Sequence, residues 1–244
     1  MLKEAIEKIQ QLCATDVRSI DGKNYLLCSG DGTYCEIKPE PDMVESIRLS
    51  SLDALVKFVM TEAVKNHGIV YITIPDHKTV KCFTKPYDDL YKKREYLYTA
   101  EAVDVPGWDA KCSMGFEEAL IALRTRFQPA TDTEYALRLL SNITTGGKVT
   151  YNDNGVATSI ITKRGVDLQG NEAIKPIIRL RPYRTFQEVA QPESQFLIRI
   201  NERGITFIEA DGGMWKLEAR NTVKKYLEDN LKEEVESGVV VIAL

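Results

Sequence analysis

Residues 51–74 read SLDALVKFVMTEAVKNHGIVYITI, and this stretch decides the fold class. Ser51 has the chemistry of a helix N-cap, because its hydroxyl can accept a backbone N–H that the first turn leaves without a partner. Leu52, Leu55, Val56, Val59, Met60, Ala63 and Val64 then recur at three- and four-residue steps, so they trace one face of a helix running to His67. Gly68 supplies the stop, and the β-branched run Ile69–Ile74 reads as a buried strand. A helix apolar on one side and followed at once by a strand needs a sheet to lie against. The rest of the chain supplies one.

Upstream, Leu2, Ile6, Ile9 and Cys13 keep helical spacing over residues 2–13. Asp21-Gly22 and Asp31-Gly32 then separate the runs Val17–Ile20, Tyr25–Cys28 and Tyr34–Ile37, which reads as a three-stranded meander. A two-residue turn at Asp31-Gly32 would set Cys28 opposite Cys35, as two reduced thiols or a disulfide. Downstream, Val80–Thr84 and Glu95–Val103 read as strands that complete a mixed sheet under the Ser51 helix. Phe116, Ala119, Leu120, Leu123 and Phe127 line a second helix, and Tyr135–Ile143 a third. The remainder is strand-rich: Lys148–Tyr151, Thr158–Thr162, Ile177–Arg181, Phe196–Ile200, Ile205–Glu209 and Trp215–Ala219. A helix over Thr222–Leu231 and a last strand, Val239–Ala243, close the chain. The fold class is α+β, with mixed, mainly antiparallel sheets and a few flanking helices. The seam is expected near residues 105–115, between an N-terminal α/β region, 1–110, and a helical connector with a strand-rich region, 111–244.

The 244 residues carry 36 acidic side chains against 32 Lys and Arg, a formal charge of −4, and 43% of them are hydrophobic. Such a chain can bury a core and is not disordered throughout. No run is apolar enough for a membrane span, and the charged N-terminus does not resemble a secretory signal, so the expectation is a cytoplasmic protein without membrane contact. Five cysteines at irregular spacing, with no CxxC and no cysteine-histidine cluster, argue against a zinc site.

Catalytic constellations are scarce. Only His67 and His77 could serve a triad or a metal; the first sits at a helix end, the second in an exposed turn. Asp88-Asp89, Glu188, Glu193, Glu209 and Asp211 lie in loops or at strand ends, but their spacing selects no acid–base pair. Thr144-Thr145-Gly146-Gly147-Lys148 lacks the earlier glycine and the hydroxyl of a P-loop, no GxGxxG follows a strand, and Asn152–Gly155 is a turn rather than a calcium loop. No cofactor and no metal are expected, and the reading leans away from an enzyme.

Two segments have the composition of a binding surface. Between Lys78 and Thr99, the cations Lys81, Lys85, Lys92, Lys93 and Arg94 interleave with Phe83, Tyr87, Tyr91, Tyr96 and Tyr98, the mixture that single strands of nucleic acid prefer. The alternative is that lysines guard sheet edges while the tyrosines complete a core. In the second segment, Ile178 and Leu180 alternate with Arg179 and Arg181, and Arg184 and Arg199 follow, giving one buried and one cationic face. That face meets either internal carboxylates or an anionic ligand.

Leu180-Arg181-Pro182-Tyr183-Arg184-Thr185-Phe186-Gln187-Glu188-Val189, with Gln191-Pro192-Glu193-Ser194 after it, resembles the hallmark of the YfdQ-like family of phage and prophage proteins. Phe207–Gly213, Trp215–Ala219 and Val223–Leu227 are similar to that family's C-terminal signature. The resemblance implies a viral origin and a neighbourhood of recombination and single-strand-binding genes, without a mechanism. Prolines at 182 and 192 bracket an ordered excursion that Arg181 and Arg184 can knit to Glu188, Gln191 and Glu193. The leading expectation is therefore a phage accessory protein, a homo-oligomer that meets a partner, a host protein included, or an anionic ligand early in infection. Its candidate contacts are Arg181, Tyr183, Arg184, Glu188, Gln191, Glu193, Arg199, Glu209, Asp211 and Trp215. A second expectation is a single-stranded nucleic-acid-binding helper using Lys81, Lys85, Tyr87, Tyr91, Lys92, Lys93, Arg94 and Tyr96. A third is a metal-dependent hydrolase or a nucleotide-sequestering protein.

Overall fold

The computed structural model describes residues 3–6, 8, 16–27, 33–37, 45–86, 93–107, 113–145, 149–153, 158–162, 171–173, 175–201 and 204–244. Residues 3–6 and 8 are helical. Strands β1 (Asp16–Ile20), β2 (Lys23–Leu27) and β3 (Tyr34–Ile37) form the expected antiparallel meander. Asp21 and Gly22 take positive φ, 50° and 77°, as a two-residue hairpin turn matched to strand twist requires. Leu26, not Cys28, stands opposite Cys35. The β2–β3 connection is therefore longer than a two-residue turn, and the expected facing of Cys28 and Cys35 is corrected. The Asp31-Gly32 turn itself lies outside the described residues.

A short strand that periodicity did not reveal, β4 (Ile47–Leu49), leads to the Ser51 helix. Ser51 caps it as expected, its Oγ accepting the Ala54 N–H at 3.2 Å. The helix α1 (Leu52–Phe58) widens into a π turn, Val59–Ala63, and closes with Val64–His67 before Gly68 at φ 69°. Strands β5 (Val70–Asp76), β6 (Thr79–Thr84) and β7 (Tyr96–Glu101) follow as antiparallel neighbours. Helices α2 (Phe116–Thr125) and α3 (Thr133–Thr145) flank the short strand β8 (Phe127–Gln128). Then come β9 (Val149–Asp153), β10 (Thr158–Thr162) and β11 (Asn171–Ala173), which make a small antiparallel sheet. Strands β12 (Ile177–Pro182), β13 (Ser194–Asn201) and β14 (Gly204–Glu209) join β8 in a sheet of order β14-β13-β12-β8.

The segment Trp215–Ala219, expected as a strand, is instead the start of helix α4 (Trp215–Asn230). Trp215, Ala219, Val223 and Leu227 are its buried residues, spaced by four, and that longer period outweighs the local β-character of the first five residues. A short helix, α5 (Lys232–Glu236), leads to β15 (Val240–Ala243). No helix among the described residues is long and apolar enough to cross a membrane.

Two hydrophobic cores organise the chain. The first lies between α1, α4 and one face of the sheet β15-β5-β6-β7-β4, in which β15 and β4 run parallel to β5 and β7. It gathers Leu52, Leu55 and Val59 with Val70, Ile72, Ile74, Val80 and Cys82, then Val223, Leu227 and Leu231. The second packs α2 and α3 on β12–β14, through Leu123, Leu140, Ile178, Leu180, Phe196 and Phe207. At the β13–β14 turn Gly204 is at φ 143°, and a Cβ there would fall 1.9 Å from the Met114 carbonyl oxygen. Met114 and Ile205 exchange two backbone hydrogen bonds across that contact, each 2.9 Å long. The two cores do not split the chain once: the sheet of the N-terminal half takes its edge strand and a covering helix from the C-terminal end.

Candidate functional site

The proline-bracketed loop 183–193 leaves β12 in the second core and inserts Phe186 and Val189 into the first, so it bolts the two together. Its scaffold is a single buried amide. Gln191 Oε1 accepts the Arg184 N–H at 2.8 Å and the Thr185 N–H at 3.1 Å, while Nε2 donates to the Phe186 carbonyl at 2.8 Å. Thr185 donates its hydroxyl proton to the His77 carbonyl, and Gln187 Nε2 donates to the Asp104 carbonyl at 3.0 Å. Glu188 Oε1 accepts the Leu52 N–H at 2.7 Å at the head of α1.

Arg181 and Arg184 are used inside the protein. Arg184 is only 5% exposed. Its Nη2 lies 2.7 Å from Glu209 Oε1, Nη1 donates to Ser194 Oγ at 2.8 Å, and the guanidinium sits 4.2 Å from the Trp215 ring centroid and 5.2 Å from that of Phe196. Burial lowers the pKa of Arg184, and the charges of Glu209 and Asp211 oppose that shift. Trp215 Nε1 donates to Glu209 Oε2 at 3.4 Å, so one carboxylate holds both the cation and the indole that stacks on it. Arg181 pairs with Glu193 at 3.3 Å, as expected, but the expected knitting of the loop by the Arg184 guanidinium is corrected: only the Arg184 backbone N–H meets Gln191, its guanidinium goes to Glu209 and Ser194, and Glu188 turns to α1. A cleft of about 240 Å³ opens beside Trp215, lined by His77, Lys78, Tyr183 and Glu209 among others. Arg184 borders it, but its guanidinium is directed at Glu209 and Ser194. Arg199 lies on the outward face of β13, away from this group, and Asp211 accepts the Gly213 N–H at 3.0 Å in the turn before α4. His77, read as an exposed turn residue, is half-buried, its ring centroid 4.7 Å from that of Trp215 with the planes 75° apart, and burial lowers its pKa.

A different surface collects aromatic rings and cations that do reach solvent. Strands β5–β7 alternate buried and outward residues, so the face turned away from α1 and α4 is set by register. Tyr71 stands opposite Phe83, Phe83 opposite Tyr96, and Val241 of β15 opposite Tyr71, forming one row across four strands. The Tyr71 and Phe83 rings are 5.9 Å apart with planes 13° from parallel, the Phe83 and Tyr96 rings are 5.7 Å apart, and Tyr96 is 55% exposed. Arg94 lays its guanidinium 5.0 Å from the Tyr71 centroid and 5.3 Å from that of Phe83, tied by Nη1 to the Thr84 carbonyl at 3.1 Å. Lys81 Nζ is 5.9 Å from the Tyr96 ring, and the exposed Lys85 and half-exposed Lys93 bound the same end of the sheet.

Of the sequence-level candidates on this surface, Lys81, Lys85, Lys93, Arg94 and Tyr96 come together; Tyr87, Tyr91 and Lys92 lie outside the described residues. Tyr98, counted with the stacking rings, points into the first core, because Cys82 opposite it is a core residue. Tyr71 was missed, since Ile69–Ile74 reads as uniformly buried; its place between Val70 and Ile72 in an alternating strand is the signal that could have found it. Comparison of the chain with protein-family models, curated proteins and solved structures gives no match.

Proposed function

We propose that this chain binds single-stranded nucleic acid on the outward face of the sheet β15-β5-β6-β7-β4. The observation that carries the reading is the row Tyr71, Phe83 and Tyr96, with Arg94 stacked on two of the rings and Lys81 beside the third. Every nucleobase has a π-face, so rings and a guanidinium plane bind bases without sequence preference, at about 1–3 kcal/mol per stacked base. Duplexes hide those faces, which makes the unpaired strand the fitting ligand. The net charge of −4 does not oppose this, because steering follows the local field, and the cations are gathered where the rings are. A place beside recombination and single-strand-binding genes, which the family resemblance implies, agrees with the reading.

Fluorescence anisotropy with labelled oligo(dT), oligo(U) and a duplex of equal length, at about 50 mM salt, tests it. Single strands should bind and the duplex should not, with affinity falling steeply as salt rises. Tyr96→Ala should weaken binding about tenfold while leaving the melting temperature near that of the parent, and Phe83→Ala should weaken it similarly while also lowering the melting temperature, because it removes contacts to two rings and a guanidinium. Oligo(dT) against oligo(U) separates a DNA from an RNA ligand. No single-strand binding at that salt, or equal competition by poly-glutamate, overturns the proposal, the latter because it would mark a surface for acidic chains rather than bases.

A further inference from the structure

The aromatic row has a neighbour. One pleat further along the strands, toward the β5–β6 turn, Thr73 stands opposite Lys81, Lys81 opposite Thr99, and Thr99 opposite Arg48 of β4. All four share the outward face with Tyr71 and Phe83, because residues two apart on a strand point the same way. Their side chains are two cations and two hydroxyls, each able to donate a hydrogen bond and so to meet a phosphate oxygen. In the row beyond, Thr79 faces Glu101, and Asp76 also pairs with Thr79, so carboxylates bound the surface on that side.

We infer that Arg48 and Lys81 form the phosphate track of this surface. The strand crosses β5, β6, β7 and β4 at right angles to them, bases on the Tyr71–Phe83–Tyr96 row and backbone along Thr73–Lys81–Thr99–Arg48. One observation chooses this side over the Lys85 and Lys93 side. Arg94 already lies over the Tyr71 and Phe83 rings, anchored to the Thr84 carbonyl next to Lys85, so the flank on that side is occupied by the protein's own cation. The Glu101 row then repels a backbone that strays further along the strands, confining it to the donor row. The assignment rests on the single-strand reading and adds to it a residue, Arg48, thirty positions before the basic segment that begins at Lys78 and on a strand the sequence did not announce.

The test is the salt dependence of oligo(dT) binding by the full chain. Arg48→Ala should weaken binding for all sequences alike and reduce the slope of log affinity against log salt by about 0.7, the signature of one lost contact to a single-strand phosphate. Arg48→Lys should restore the slope, and Arg124→Ala, at an exposed position of α2, should leave it unchanged. Tyr96→Ala should lower affinity with the slope intact, since stacking releases no counterion. If the parent binds and Tyr96→Ala weakens it, yet Arg48→Ala keeps the full slope, the track is wrong while the aromatic platform stands. If the parent binds no single strand at all, platform and track fall together.

Discussion

Glu188 accepts the backbone N–H of Leu52 at 2.7 Å, across 136 positions of sequence, so the loop 183–193 caps a helix from the other half of the chain. The first turn of α1 thus has two side-chain acceptors, Ser51 Oγ for Ala54 and the Glu188 carboxylate for Leu52. A negative group at a helix N-terminus also meets the positive end of the dipole. Glu188→Ala should cost about 1–2 kcal/mol of stability in urea unfolding, and Glu188→Gln less, because an amide oxygen still accepts. An unchanged midpoint for Glu188→Ala would show that water replaces the cap without loss.

Gln191 is the deeper test of loop rigidity, being 3% exposed and bonded on both sides of its amide. Gln191→Ala leaves the N–H groups of Arg184 and Thr185 and the Phe186 carbonyl without their partner, and should cost about 2–4 kcal/mol. Gln191→Glu can still accept but cannot donate to Phe186, and should fall between. Thermal unfolding of the three proteins reads this directly; equal melting temperatures would mean that the loop does not depend on its amide.

Breaking the Arg184–Glu209 pair should be worse than replacing it. Glu209→Ala strands a buried guanidinium and should destabilise by roughly 3 kcal/mol. The double change Arg184→Met with Glu209→Leu removes the charge along with its partner and should regain most of that. Should the double variant be as unstable as Glu209→Ala, the ion pair itself, and not the cost of an orphaned charge, would be what stabilises the junction.

Alkaline pH should loosen the first core. Burial raises the Cys82 thiol from its ordinary value of 9.0 to about 12, and raises the Tyr98 and Tyr226 phenols from 10.0 to about 12, helped by Glu62 and Asp53 respectively. The folded chain therefore holds these protons more tightly than the unfolded chain. Their contribution to stability is complete below about pH 9 and is lost as pH rises toward 12. Urea midpoints measured upward from pH 8 should decline across that window, and Cys82 should resist alkylation until the protein unfolds. A flat profile, or rapid Cys82 modification at pH 8, would contradict the burial seen here.

Much of the architecture was legible because its signals are short. The capped helix at 51–67, the turn at Asp21-Gly22, and the alternation of Ile178 and Leu180 with Arg179 and Arg181 each declare themselves within a few residues. Trp215–Ala219 misled because five residues of mixed character do not show a period of four; only Val223 and Leu227 complete it. The basic and aromatic mixture at 78–99 was visible, but which rings face out was not, since Tyr96 and Tyr98 look alike in sequence and a bulge between Cys82 and Phe83 shifts their register.

The chain by itself determined its α+β character, the Ser51 cap and Gly68 stop of its first long helix, its first hairpin turn and the store of cations and rings from which a surface could be built. Tertiary structure decided how they are used: β15 joined β5, Arg184 turned inward against Glu209 and Trp215, Phe186 crossed into the other core, and Arg48 reached the row of Lys81. The reason is range. Periodicity and capping act over one or two turns of backbone, whereas strand partners, and with them the face each side chain presents, are chosen by which distant surfaces must be buried together.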